Sequence, residues 1–132
     1  VVSPFIKEIP RKYRANSTDE AFALFLREQD PLQPDKINVG WVSAMRRWMP
    51  QLLAYPPVTV ATLILQGEQD LTVDWEWNLG VLAHKFPNAE IHRHPEARHH
   101  LVNEAKDLQA AVFNTIVDTF NQNSGGTASG TC

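Results

Sequence analysis

The chain has 132 residues, of which 43% are hydrophobic and 20% charged, with a formal net charge of −3. That length is enough for one domain with its own core. Basic residues are scattered in small groups, Arg11-Lys12-Tyr13-Arg14 and the Arg46–Arg47 pair, in a chain of net negative charge, which argues against the basic footprint of a nucleic-acid binder. No apolar run approaches the ~20 residues of a membrane helix. A single cysteine, Cys132, leaves no internal disulfide, so packing alone must hold the fold.

In chain order, Val1-Val2-Ser3-Pro4 reads as the end of a buried strand. Ser17 to Glu20 supplies a capping box, which predicts a helix over residues 18–29, closed by Asp30-Pro31. A loop with one proline, Pro34, follows over residues 32–38. Trp41, Met45, Trp48, Met49 and Leu52 then recur at helical spacing and predict a second helix over 39–55, kinked or split at Pro50. Residues 58–66 are almost continuously Val, Thr, Ala, Ile and Leu, the pattern of a strand buried on both faces. Residues 75–86 are helical in period, 89–94 form a short strand stopped by Pro95, and 104–120 form a last helix with a wide apolar stripe. Residues 121–132 are rich in Gly, Ser and Thr and read as a flexible tail. Strands alternating with helices predict an α/β fold with a parallel sheet.

Ligands of open parallel sheets bind beyond the carboxyl ends of the strands. Two loops take such positions, 67–74 after the strongest strand and 95–104 after the last. An acid on one and a histidine on the other could meet across neighbouring strands. An acid that orients an imidazole is what a general base requires.

The run Leu63-Ile64-Leu65-Gln66-Gly67-Glu68-Gln69-Asp70, followed by Val73-Asp74, resembles the seventh-strand segment of α/β-hydrolases of the lysophospholipase and monoacylglycerol lipase (serine aminopeptidase-like) group. Phe86-Pro87-Asn88-Ala89-Glu90-Ile91, then Ala97-Arg98-His99-His100-Leu101-Val102-Asn103-Glu104, resembles that group's last strand and histidine loop. The resemblance implies that Asp70 is the catalytic acid and His99 the catalytic histidine. It implies the C-terminal part of a hydrolase sheet, about its last three strands with their helices, plus an inserted helical cap. Residues 1–4 would end a core strand, 5–57 would be the cap, and 58–120 the C-terminal half of the hydrolase core. The implied activity is cleavage of carboxylic esters of lipid-like substrates by acyl transfer, without a cofactor. Trp41, Met45 and Trp48 would line the substrate pocket, or alternatively form the buried stripe of their helix. The family's nucleophile sits on a Gly-x-Ser-x-Gly elbow. No such pentapeptide occurs among Ser3, Ser17, Ser43, Ser124 and Ser129. The resemblance therefore implies a serine upstream of Val1, and an isolated chain without turnover.

Each residue also has a plainer reading. Asp70 suits a turn after a strand, and Asp74 suits a helix N-cap. His100, beside His99, reads as packed against the last helix. Glu104 reads as support for that helix's start, where negative charge is favourable. His92 and His94 share one face of their strand and, with His99 and His100, raise a small histidine-rich metal site, but no carboxylate or cysteine stands at matching spacing. A different class of function is a non-catalytic assembly module, pairing through an unpaired sheet edge with an N-terminal half or a second copy. The start lacks the pattern of a secretory signal, and a cytoplasmic protein is expected, with membrane association as the alternative.

Overall fold

The computed structural model describes residues 6–125. It is a mixed α/β structure of four strands, four α-helices and one 3-10 turn among the described residues. Residues 1–4, read as the end of a core strand, lie outside them.

Strand β1 (Glu8–Pro10) pairs antiparallel with β2 (Lys36–Asn38), with Ile9 opposite Ile37. These two short strands close the segment that holds α1 (Glu20–Glu28). The expected loop at 32–38 thus ends in a strand. The helix α1 starts two residues later than its sequence pattern indicated. Asp19, not Ser17, is the N-cap and accepts from Phe22 N at 2.9 Å. The Ser17 hydroxyl is committed elsewhere: it donates to Asn103 O at 2.5 Å and accepts from Asp19 N at 2.9 Å.

Helix α2 (Val39–Ala54) is capped by Asn38, whose Oδ1 accepts from Gly40 N at 2.8 Å and Trp41 N at 3.3 Å. It passes through Pro50 as one element, so of the two expected outcomes, a kink or a split, the split does not occur. None of its residues is buried. The apolar stripe of Trp41, Met45 and Trp48 faces solvent, with exposures of 61%, 40% and 48%. At the helix's end, the buried Lys85 ammonium donates to Leu53 O at 2.7 Å and to Tyr55 O. A cation on the last carbonyls of a helix matches both their lone pairs and the helix dipole.

Strands β3 (Thr62–Gly67) and β4 (Ala89–His94) pair in parallel, Thr62 opposite Ala89 and Gly67 opposite His94. Helix α3 (Trp75–Lys85) makes the crossover, capped by Asp74 Oδ1, which accepts from Trp77 N at 3.1 Å. The 3-10 turn Leu101–Asn103 leads into α4 (Lys106–Gly125), which packs on β3. This helix runs through residues expected to open the flexible tail, and residues 126–132 lie outside the description.

The expectation of a strand buried on both faces is not met. Val58 and Val60 are exposed, and residues 62–66 are only half-buried. The physical reason is coverage: among the described residues the sheet is a pair, so each strand has one hydrogen-bonded neighbour. The fully apolar core is correspondingly small, with Leu26, Ala97 and Val112 its buried members among the described residues.

Candidate functional site

The parallel register puts the carboxyl ends of β3 and β4 side by side, and both loops of interest leave from there. They nest closely. Glu68 N donates to His94 O at 3.0 Å, and Gln69 N donates to Ala97 O at 2.9 Å. Gly67 makes this possible, because a Cβ there would stand 2.5 Å from Ala97 O and 2.8 Å from Ala97 C. Both are backbone atoms, and Ala97 has no exposed surface.

Asp70 and His99 meet across this seam. The Asp70 Oδ2 atom lies 2.8 Å from His99 Nδ1. The acid's side chain is 3% exposed and the imidazole 37%. The other carboxylate oxygen, Oδ1, accepts from Thr72 N at 2.7 Å and Val73 N at 3.3 Å. Asp70 is therefore both the turn residue and the partner of the histidine. Burial pushes its carboxyl up, but the hydrogen bonds from His99 and Thr72, with the nearby imidazole charge, hold it below the usual carboxylate range.

A carboxylate accepting at Nδ1 fixes the tautomer, because that nitrogen must carry the proton. The Nε2 lone pair is then left as the basic site. Among the described residues Nε2 has no hydrogen-bond partner. The arrangement is chemically competent to take a proton from a hydroxyl brought to Nε2 and to stabilise the imidazolium formed.

The histidine loop is held by a brace that sequence reading missed. Buried Glu104 accepts from Arg98 N at 2.5 Å through Oε1, and from Thr18 N and Thr18 Oγ1 at 2.5 Å through Oε2. It ties the start of α1 to the residue before His99, rather than supporting the last helix. Arg98 donates to Ser17 O at 2.9 Å, and His100 N donates to Asn16 O at 2.8 Å. The Asn16 side chain in turn accepts from Thr72 Oγ1 at 2.9 Å. Segment 15–18 thus contacts both loops. The polar run before α1 carries no periodicity, so nothing in the sequence marked it.

His100 packs edge-on to Phe22 of α1 at 5.6 Å, not against the last helix, and edge-on to His99 at 5.5 Å. Burial and the neighbouring His99 push its pKa down. His92 Nε2 contacts Glu90 Oε1 at 2.5 Å on the same strand. Among the described residues no three His, Cys, Asp or Glu side chains converge as metal ligands.

Of the pocket residues read from sequence, Trp41 lines a groove of about 600 Å³ together with Thr72, Arg11 and Ile37. Met45 and Trp48 lie further along α2, outside that groove. Thr72 joins the groove to the Asp70 turn. Among the described residues no helix is long and apolar enough to cross a membrane.

Scans against protein-family models, curated proteins and solved structures find no match to this chain.

Proposed function

We propose that this chain carries the acid and histidine of a serine-hydrolase triad. Asp70 orients the imidazole, and His99 Nε2 takes the proton from a serine and returns it to the leaving alkoxide. The observation that carries the reading is the 2.8 Å contact from a buried carboxylate to Nδ1 of a half-exposed imidazole, across the carboxyl ends of two parallel strands. Its residues are those on which the resemblance to lysophospholipase and monoacylglycerol lipase-type α/β-hydrolases falls. On this reading β3 and β4 are the last strands of the hydrolase sheet, and the segment holding α1 and α2 is its cap.

None of the described serines is suited to act as the nucleophile. Ser17 is 1% exposed and its hydroxyl is bonded on both sides. Ser43 sits within α2 rather than on a strand-to-helix elbow. Since none of the five serines of the sequence stands on a Gly-x-Ser-x-Gly elbow, the serine is assigned to polypeptide outside these 132 residues, with carboxylic esters of lipid-like alcohols or acids as the substrate class.

The test is p-nitrophenyl ester hydrolysis by this chain alone and by this chain in continuity with the sequence encoded upstream of Val1. The chain alone is expected to give background turnover. The longer protein is expected to turn over ester and to lose about 10⁶-fold on His99→Ala. Turnover by this chain alone that His99→Ala abolishes would overturn the assignment of the serine. Full activity of His99→Ala in the longer protein would overturn the reading itself.

An assembly module is the second reading, favoured by two observations. Phe113, Val117 and Phe120 form an exposed stripe on α4, and β3 and β4 each have a single strand neighbour among the described residues. Light scattering on this chain discriminates: a stable oligomer lacking any change in ester turnover on joining the upstream sequence would favour assembly.

A further inference from the structure

The groove at the mouth of the Asp70 turn has an unusual balance of lining groups. Its walls are Trp41 and Ile37 with Pro34, and its polar groups include two cations, Arg11 and Lys36, but no acid. Lys36 is spent in part on Glu8, at 3.3 Å, where both side chains are exposed. Arg11 is different. It is half-buried, its Nη1 donates to the neutral Gln33 side-chain carbonyl, and no carboxylate pairs with it among the described residues. A half-buried guanidinium without a counter-charge, next to an exposed indole, is a receptor for an anion attached to an apolar body.

The position fits a substrate groove. Strand β2 delivers Lys36, Ile37 and Asn38, and the Asn38 cap sets the first turn of α2 and hence Trp41. Thr72 also lines the groove, and its backbone N–H is one of the two that hold Asp70 Oδ1. The chain as a whole carries a net charge of −3. Unspecific electrostatics would therefore favour cationic amphiphiles over anionic ones.

We propose that the Arg11–Trp41 groove binds an apolar molecule bearing one anionic group, with the anion on Arg11 and the apolar body against Trp41 and Ile37. Its use as the substrate groove rests on the hydrolase reading, and there it narrows the substrate class to acyl esters that carry a second, anionic group. Its capacity to bind is a property of this chain and needs no nucleophile.

The experiment is a titration of the chain with three probes of equal apolar length: decanoate, 1-decanol and decyltrimethylammonium, each below its aggregation concentration. The readout is the Trp41 indole N–H resonance, assigned by its loss in Trp41→Phe. Decanoate is expected to shift it with at least tenfold tighter binding than either other probe, the scale of one charge-assisted hydrogen bond. Arg11→Gln is expected to lose about that factor for decanoate and leave decanol unchanged, whereas Arg11→Lys keeps most of the preference. Should Arg11→Gln fail to fold, Lys36→Gln serves at an exposed position, with an expected loss of about two- to threefold for decanoate alone. Equal binding of decanoate and decanol, tighter binding of the cation, or no shift with any probe overturns the proposal. Any of these leaves the Asp70–His99 reading intact, and absence of ester turnover in the longer protein leaves the groove's binding intact.

Discussion

Gly67→Ala tests how far the seam between the two loops sets the Asp70–His99 geometry. The added methyl would stand 2.5 Å from Ala97 O and 2.8 Å from Ala97 C, both backbone atoms. An ordinary carbon–oxygen contact is about 3.4 Å, so the loops must separate by roughly 1 Å. Neither side can give cheaply, because Ala97 is fully buried and Arg98 N is fixed by Glu104. An opening of that size carries the 2.8 Å contact between Asp70 and His99 out of hydrogen-bond range. Overpacking of this kind costs about 1–3 kcal/mol. The lost hydrogen bond adds about 1 kcal/mol, discounted because the imidazole is 37% exposed. A total of about 2–4 kcal/mol lowers the Tm of a domain this size by roughly 10 °C. The assay is thermal denaturation followed by circular dichroism, within a double-mutant cycle with Asp70→Asn. Since the hydrogen bond is already broken, Asp70→Asn is expected to cost clearly less in the Gly67→Ala background. An unchanged Tm, or strictly additive effects, refutes the reasoning.

Three further outcomes follow from the surroundings of the site. Glu104→Ala leaves the three donors from Thr18 and Arg98 without their acceptor and is expected to cost about 3–5 kcal/mol, against roughly half of that for Glu104→Gln, read from urea midpoints. Equal costs would mean that the brace is only packing. Stability is expected to fall in two steps on acidification. His94 and His100 have pKa values lowered below the ordinary 6.5 by burial, so the unfolded chain takes up protons first and stability drops as pH falls below about 6.5. The depressed Asp70 carboxyl contributes stability above its ordinary 3.8, and this is lost as pH falls through its folded value. Urea titrations from neutral to pH 3 measure both steps, and Asp70→Asn should remove only the lower one. A lower step that survives Asp70→Asn would contradict its assignment. Lys85→Met removes two hydrogen bonds from the end of α2 and is expected to raise hydrogen exchange in residues 51–55 while β3 and β4 stay protected. Uniform loss of protection would show that Lys85 acts on the whole fold instead.

The legible parts of this chain were those with strong local signals. Residues 89–94 form β4 as their alternation indicated, and Asp74 caps α3 because an Asp before an apolar helix has an N–H within reach. The acid and histidine loops were found because each follows a strand and carries a motif, and the parallel register brings them together. What stayed hidden depends on contacts distant in sequence. Ser17 has the residue pattern of an N-cap, yet its hydroxyl is drawn to Asn103 O, 86 residues away, and Asp19 takes the role. β1 and β2 have three residues each and include Pro10, too short for any period to register. The periodic Trp41, Met45 and Trp48 led to an expected pocket lining or buried stripe, but periodicity gives a face without saying what covers it. Glu104 illustrates the same limit: a buried carboxylate held by three donors is indistinguishable in sequence from an acid placed before a helix.

The most direct measurement is the nitrogen-15 spectrum of the His99 imidazole near neutral pH, in the chain and in Asp70→Asn. If the Asp70 carboxylate holds Nδ1–H, His99 is a single Nδ1-protonated tautomer with a bare Nε2, and Asp70→Asn releases it to the mixture of a free imidazole. A His99 already protonated at Nε2, or one indifferent to the loss of Asp70, would contradict the pairing on which the proposed chemistry depends.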